Sequence, residues 1–246
     1  MSPQWVLRVS AIAGVLVLAS ACADPTDPPP TPTTTAPDTA TTAVGTVTAT
    51  ATATATIRTP AGPIPASAFF VPPAITSSDQ RFVAPATGFV GLWPLCGARY
   101  ASDSQRADRR GRQVLYFHPG AGAGSVPAAT VDHTISLYRA GAGPAALQQI
   151  RAAVQACPHD RRDGSVVDYR LLTPPSLGSE ALLIEETWNP QAGTEFSPVT
   201  SLAAVVRIGD VITVLRFIGW EGLNASPQVC DEYTGYAVTA IQAWLR

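Results

Sequence analysis

The sequence predicts an α+β domain in which two main helices pack on one face of an antiparallel β-sheet. Two observations carry this prediction: a hairpin of apolar strands joined at Gly209-Asp210, and two amphipathic helices, one over residues 143–157 and one at the carboxyl end. Apolar residues at every second position are typical of strands, whereas spacings of three and four are typical of helices. We assign the domain to residues 63–246.

Six strands are predicted along the domain, and the hairpin gives the clearest signal. Gly209-Asp210 suits a two-residue turn, and apolar residues alternate on both sides of it. One face of the hairpin therefore carries Val206, Ile208, Val211, Thr213, Leu215 and Phe217. Arg207 and Arg216 fall on the other face, which we expect to be the more polar one. The remaining strands are predicted at 112–117, 133–139, 166–172 and 180–188.

Each helix shows a single apolar stripe. The first opens with Pro144, which is tolerated in a first helical turn, and ends before Pro158. Its stripe is Leu147, Ile150, Val154 and Cys157. The second follows Ser226, a suitable N-terminal cap, and begins with Pro227. Its stripe is Cys230, Tyr233, Ala237, Ile241 and Trp244. We expect both stripes to face the sheet.

The amino terminus has the features of an export signal, which we assign to residues 1–21. Arg8 precedes an apolar run that is about half the ~20 residues needed to cross a bilayer. Ala19-Ser20-Ala21 fits cleavage just before Cys22, and the same bond resembles a bacterial lipobox, in which that cysteine carries a lipid. We therefore predict that Cys22 is the lipidated first residue. Plain secretion and an uncleaved membrane anchor are the alternatives.

Residues 22–62 are predicted to form the lipidated cysteine and a disordered tether rich in Pro, Thr and Ala. Residues 25–60 include no aromatic side chain, so the segment cannot bury enough apolar surface to offset the entropy of ordering. The expected location is the outer face of the cytoplasmic membrane, with the membrane as the partner of the amino-terminal lipid. A secreted protein is expected if the lipid is absent.

The charge of the chain does not favour nucleic acid as a partner. The net charge is -2, and no basic stripe with interleaved aromatic residues is present in the sequence. Arg106, Arg109, Arg110 and Arg112 do cluster. We interpret them as a solvated turn before the strand at 112–117 rather than as an anion site.

The sequence lacks the local signatures of nucleophile elbows, phosphate-binding loops and zinc enzymes. His118, His133 and His159 are the only histidines, and their spacing does not suit a zinc site. Glu185 and Glu186 are neighbours on a predicted strand, so they point to opposite faces and cannot act as paired carboxylates. We therefore predict no enzyme activity, metal or cofactor. A secreted hydrolase whose triad assembles across the fold is the alternative.

The order of several segments resembles the actinobacterial sensor-domain family, whose best-known members are the extracellular domains of PknH-type serine/threonine kinases. The segments are IPASAFFVPP, PLCGARY, a helix ending in QAC, the hairpin VVRIGDVITV and the closing amphipathic helix. The resemblance covers roughly residues 64–246. It implies an outward-facing domain with a cleft that binds an unidentified ligand or partner, and not an enzyme.

The resemblance also implies a disulfide. In the kinase members the cysteine near the domain start pairs with the one that closes the first long helix, and Cys96 and Cys157 match these positions. A second pair links strands near the hairpin in those members, whereas Leu202 and Phe217 lie near those positions here. Cys230 has no counterpart in the pattern. A pairing of Cys157 with Cys230 stays open, because two antiparallel helices on one sheet face would bring these residues together.

The predicted function is that of a cell-envelope lipoprotein with a sensor-like domain that binds an unidentified small molecule or envelope component. A structural or protein-interaction module of the envelope is the alternative. A deep apolar pocket would favour a small ligand, and a flat aromatic patch would favour a protein partner. The candidate ligand-binding residues are Tyr138, Trp188 and Trp220.

Overall fold

The computed structural model describes residues 62–71, 79–86, 94–162, 164–191, 193–195, 197–219 and 225–246. These residues belong to a compact unit that spans Ala53–Arg246. The predicted signal peptide, Cys22, Trp220 and most of the predicted tether lie outside the described residues. In the described part of the chain, no helix is both long enough and apolar enough to cross a membrane.

The described residues form eight strands: β1 (Asp79–Ala86), β2 (Arg106–Phe117), β3 (Ala129–Tyr138), β4 (His159–Arg162), β5 (Ser165–Leu172), β6 (Glu180–Asn189), β7 (Val199–Ile208) and β8 (Val211–Gly219). One helix follows β3 and another follows β8, namely α1 (Gly143–Ala156) and α2 (Pro227–Trp244). The strands make one antiparallel sheet in the order β1-β2-β3-β8-β7-β6-β5-β4. The predicted α+β class, an antiparallel sheet with two main helices packed on it, is confirmed.

All six predicted strands are present, and the two strands at the sheet edges are additional. β4 has four residues, all of them polar, so it lacks the apolar alternation that identifies a strand. β1 contains Pro85, and its register with β2 shifts between Val83 and Ala86. Backbone pairing with a neighbour, rather than side-chain pattern, therefore defines both edge strands.

The arginine cluster lies within β2 and not in a turn before it. β2 begins at Arg106, and Arg109, Arg110 and Arg112 each pair with a residue of β3. The predicted turn is therefore wrong, because backbone pairing extends the strand beyond its apolar part. Arg110 donates from Nη1 to the carbonyl oxygen of Ile64 at 2.6 Å and so ties the start of the domain to the sheet.

The two helices pack on opposite faces of the sheet. In β7, Ala203 and Val205 contact the apolar cluster that contains α1, whereas Leu202 and Ala204 contact the cluster that contains α2. Neighbouring strand residues point to opposite sides, so these clusters define two faces, which we call the α1 face and the α2 face. The prediction that both helices share one face is wrong.

Both faces are covered because both faces of the central strands are apolar. Most residues of β7 and β8 are buried. The α2 face carries the set predicted for the hairpin's apolar side, from Val206 to Phe217. Arg207 and Arg216 lie on the other side, as predicted, but they share it with Ala203, Val205, Ile212 and Val214. This side of the hairpin is therefore mainly apolar despite its two arginines, and α1 covers it.

The predicted stripes of both helices are buried or packed against the core. In α1 the buried set is Ala146, Leu147, Ile150 and Val154, followed by the buried Cys157. In α2 it includes Cys230, Tyr233, Ala237 and Ile241, and Trp244 packs against the same side. The segment at 64–70 also packs on the α2 face, where Phe69 and Phe70 lie beside the buried ring of His133.

Candidate binding site

A disulfide joins Cys96 to Cys157, with a Cα–Cα distance of 6.0 Å. It links the short 3-10 helix Leu95–Gly97 to the end of α1, and it agrees with the pairing implied by the family resemblance. Cys230 is a free thiol buried on the α2 face. The alternative pairing of Cys157 with Cys230 is not formed, because the two helices lie on opposite sides of the sheet.

Polar contacts hold the disulfide loop against the β4 edge. The backbone N–H of Cys96 donates to Oδ2 of Asp160 at 3.2 Å, and Arg162 donates from Nε to the same oxygen at 3.0 Å. The ligand atoms of Cys96, Cys157 and Asp160 lie within 4.8 Å of one another. Metal binding by cysteine requires the thiolate. Since both sulfur atoms are used in the disulfide, this group is a structural anchor and not a metal site.

Two of the three predicted ligand-binding aromatic residues are described. Tyr138 is buried at the end of β3 beside the β7–β8 turn, where its N–H donates to the carbonyl oxygen of Asp210 at 2.9 Å. Trp188 is partly buried and pairs with Val199 at the other end of the hairpin. Both contact the apolar cluster of the α1 face, but they lie towards opposite ends of the sheet and do not converge. Trp220 lies outside the described residues.

A buried ion pair crosses the α1 face. Arg216 on β8 donates from Nε and Nη2 to Oε2 of Glu186 on β6, at 2.9 and 2.6 Å. Glu186 is 1% exposed and Arg216 is 7% exposed. Strand β7 lies between them, and there the residue opposite Arg216 is Ala203. The small side chain of Ala203 leaves room for the guanidinium to reach across the strand.

Asp132 extends this polar group to β3. It lies opposite Arg216, is buried, and accepts at Oδ1 from Nε2 of Gln113 on β2 at 2.8 Å. Burial raises the pKa of Asp132, and the hydrogen bond from Gln113 and the charge of Arg216 act in the opposite direction. Two carboxyl groups, those of Asp132 and Glu186, therefore flank one guanidinium away from solvent.

Three buried polar atoms on the α1 face have no hydrogen-bond partner among the described residues: Oε1 of Glu186, the hydroxyl of Tyr169 and, farther from the ion pair, the hydroxyl of Thr134. Tyr169 lies opposite Glu186 on β5, and burial raises its pKa to about 12. Unpaired buried polar groups are rare and cost about 1–3 kcal/mol each. We call the whole set the polar row: Gln113, Asp132, Thr134, Tyr169, Glu186 and Arg216.

The carboxyl groups of the polar row are held by other members of the row. Glu186 is held by Arg216, and Asp132 is held by Gln113, so neither carboxylate is directed at a nucleophile. The row contains no thiol or imidazole. The atoms of the row that lack a hydrogen-bond partner are one carboxylate oxygen and two hydroxyl groups. Such a set can bind a ligand that supplies hydrogen-bond donors.

A histidine–aspartate pair lies on the surface at the β4 edge. Nδ1 of His159 is 2.5 Å from Oδ1 of Asp168, whose Oδ2 accepts from Nδ2 of Asn189 at 2.8 Å. The side chain of His159 is 72% exposed. Among the hydrogen bonds of the described residues, none joins a serine or threonine hydroxyl to His159. Within this part of the chain the pair lacks the nucleophile that a hydrolytic triad requires.

The sequence indicated some members of the polar row but not their pairing. The opposite orientation of Glu185 and Glu186 is confirmed, since Glu185 pairs with Arg170 at 2.8 Å while Glu186 is buried on the α1 face. The prediction that Arg216 and Phe217 point to different faces of the sheet is confirmed as well, since Phe217 packs on the α2 face. The ion pair itself depends on the long-range order of β6, β7 and β8. The available signal was Arg216, the single charge in β8, and the adjacent Glu185 and Glu186 in β6.

No family model matches the chain, and no curated protein sequence matches it. Among solved structures, the chain is similar to the crystal structure of the extracellular domain of PknH from Mycobacterium tuberculosis, with a TM-score of 0.48 and 12% sequence identity. The similarity covers 68% of this chain and 86% of that chain.

Proposed function

We propose that this chain is a cell-envelope lipoprotein whose domain at residues 63–246 binds an unidentified small molecule or envelope component outside the cytoplasm. The domain works as a sensor-like binding module and not as an enzyme. Its ligand lies on the α1 face beside Glu186 and Arg216.

The polar row is the observation that supports a binding function. Taking a charged group out of water costs several kcal/mol, and apolar side chains of similar volume often give equal or greater stability than a buried ion pair. Stability alone therefore does not explain why Glu186 and Arg216 occupy the interior of an otherwise apolar face. A ligand that paired with the free Oε1 of Glu186 and the hydroxyl of Tyr169 would explain why this ion pair is buried and why both atoms lack a partner.

Two features support a position outside the cytoplasm. The Cys96–Cys157 bond is of the kind that forms and persists in oxidising compartments. The export signal and the cysteine that follows it predict a lipid on Cys22. The tether at 22–62 then presents the domain at the membrane surface.

Native mass spectrometry of the full mature chain, purified from membranes of its source organism, tests the proposal. We expect a non-covalent adduct that is lost when the chain unfolds. Glu186→Gln should lose the adduct. Glu185→Gln should keep it, because this matched control removes a carboxylate from the opposite face of the same strand.

Two results would contradict the proposal. If the wild-type chain carries no adduct even after incubation with an extract of the cell envelope, the binding function is wrong. If Glu185→Gln and Glu186→Gln lose the adduct equally, the ligand does not depend on the α1 face.

A further inference from the structure

We infer that the ligand presents a cationic hydrogen-bond donor, such as an ammonium or amidinium group, to Oε1 of Glu186. The inference rests on the proposed function and specifies the chemistry of the same site. The two carboxyl groups beside one guanidinium and the unpartnered acceptors point to such a group, and the side chains of β7 between the charged residues are small.

The polar row contains two carboxyl groups and only one guanidinium. Both hydrogen bonds from Arg216 go to Oε2 of Glu186, and the carboxyl group of Asp132 is bound by the neutral amide of Gln113. With both carboxyl groups ionised, the row would carry one negative charge more than its guanidinium balances. A buried charge without a partner is strongly unfavourable. A cationic ligand removes the surplus, and an anionic ligand increases it.

The neighbouring charged groups do not remove this excess. A second ion pair, Arg162 with Asp160 at 3.0 Å, acts on the hydroxyl of Tyr169 from the β4 side. Its two charges sum to zero, and Arg162 is already bound to Asp160 and to the carbonyl oxygen of Pro94. This second pair therefore leaves the charge balance of the row unchanged.

The unpartnered atoms of the row are acceptors or can act as acceptors. Oε1 of Glu186 accepts hydrogen bonds only, and the hydroxyl groups of Thr134 and Tyr169 can either donate or accept. Thr134 is 4% exposed and Tyr169 is 5% exposed, so bulk water does not satisfy them. An ammonium group carries three donors, and an amidinium group carries four N–H bonds in one plane. Either group can pair with Oε1 of Glu186 and still donate to the hydroxyl of Tyr169, which lies opposite Glu186 on β5.

Small side chains on β7 separate the two charged residues. Ser201 lies opposite Glu186, and Ala203 lies opposite Arg216. β6 and β8 are two strand spacings apart, about 10 Å. Over this distance only a serine and an alanine side chain lie beneath the ion pair on the α1 face. Both side chains are small, so they leave the α1 side of β7 to the side chains of Glu186 and Arg216.

Three nearly isosteric probes test the charge preference: acetamidinium, acetamide and acetate. Each would be titrated into the full mature chain by isothermal calorimetry, with the Nε–H signal of Arg216 followed by NMR. We expect acetamidinium to bind at least tenfold more tightly than acetamide, and acetate to show no binding at the same concentrations. The Arg216 signal should shift at lower concentrations of acetamidinium than of acetamide, because the bound cation shares the Glu186 carboxylate with Arg216.

Variants assign the preference to the α1 face. Glu186→Gln should abolish the tenfold preference for acetamidinium, whereas Glu185→Gln should retain it. If Glu186→Gln does not fold, the double variant Glu186→Leu/Arg216→Met replaces it, since removing both charges avoids an unpaired buried ion. Loss of the preference in the folded double variant supports the same conclusion.

Three outcomes would overturn the inference: acetate binding more tightly than acetamidinium, an unchanged preference in Glu186→Gln, or crystals soaked in acetamidinium that hold only water at Oε1 of Glu186. These outcomes are distinguishable from failure of the proposed function. An anionic or neutral adduct in native mass spectrometry that depends on Glu186 would preserve the binding function while excluding a cationic ligand.

Discussion

Arg216 and Glu186 form a buried ion pair although they lie on strands that are not neighbours in the sheet. The guanidinium crosses β7 at Ala203, which is fully buried. Leucine or methionine side chains could fill the same volume without taking two charges out of water. The pair is therefore expected to contribute more to ligand binding than to folding.

Removing one partner of this pair should be far more damaging than removing both. Arg216→Leu leaves the Glu186 carboxylate buried without its countercharge and should lower the free energy of unfolding by about 3–5 kcal/mol. The double variant Glu186→Leu/Arg216→Met should be as stable as the wild type, or more stable by about 1–4 kcal/mol, yet lose the ligand. Urea unfolding followed by circular dichroism measures both. A double variant as unstable as Arg216→Leu would show that the pair is needed for folding.

His133 on the α2 face should make the protein less stable in acid. Its side chain is buried beside Phe69 and Phe70, and Nε2 lies 2.9 Å from Oγ1 of Thr213. Burial lowers the pKa of His133 to about 3, whereas the value in an unfolded chain is about 6.5. Between these values the unfolded chain binds a proton that the folded chain does not. Stability contributed by the neutral ring is therefore complete above about pH 6.5 and is lost as the pH falls.

The contribution of His133 can be isolated by comparing two pH values. His133→Phe, which suits the aromatic surroundings, should reduce the loss of unfolding free energy between pH 6.5 and 4.5 by up to about 2.7 kcal/mol. His118→Asn is the matched control, because it replaces an exposed histidine that is not part of this packing. Equal pH dependence in His133→Phe and the wild type would mean that the His133 ring titrates normally in the folded state.

Gly143, the first residue of α1, has no room for a side chain. Its N–H donates to Oδ1 of Asp210 at 3.1 Å, and a Cβ atom would lie 2.7 Å from the carbonyl oxygen of Gly209. Because this obstacle is backbone, Gly143→Ala should destabilise the protein by about 1–3 kcal/mol. Gly235→Ala in α2, where a Cβ meets no atom within 4 Å, should instead stabilise it by about 0.5–1 kcal/mol. Urea unfolding of both variants gives the comparison, and a stable Gly143→Ala would argue against the close approach of helix and turn.

The cysteines of the domain should differ in reactivity. Cys230 is fully buried, and burial raises its pKa to about 12, so iodoacetamide should label it only after unfolding. Peptide mapping without reduction should give one linked peptide with Cys96 and Cys157. Replacing both by serine removes a link between residues 61 apart in sequence and should cost about 4 kcal/mol of stability. Labelling of Cys230 in the native protein, or a linked peptide that contains it, would contradict this assignment.

Local signals in the sequence predicted the hairpin and the helix stripes, and long-range features were missed. The alternation around Gly209 identifies β7 and β8, and Leu202 and Phe217 do face each other across them, where the kinase members are expected to carry a disulfide. The side of the sheet that each helix covers is not a local property. Ala203 and Val205 look unremarkable in sequence, although they form the apolar face that α1 covers. The polar row needs five strands in the correct order, and no spacing along the chain encodes that order.

Cys22 should be the first residue of the mature chain and should carry a diacylglycerol group. The apolar run after Arg8 ends in the small residues Ala19-Ser20-Ala21, so cleavage at this point leaves the cysteine at the new amino terminus. Two acyl chains hold a protein on a membrane far more stably than one chain does, and the tether would then keep the domain at the cell surface. Intact-mass analysis of the membrane fraction should give a chain that begins at Cys22 with an addition of diacylglycerol size. Cys22→Ser removes the sulfur that bonds to the lipid and should abolish that addition, whereas Ser20→Ala, which keeps a small residue at its position, should preserve it. A wild-type chain recovered from the medium with an unmodified Cys22 would contradict the lipid anchor and favour plain secretion.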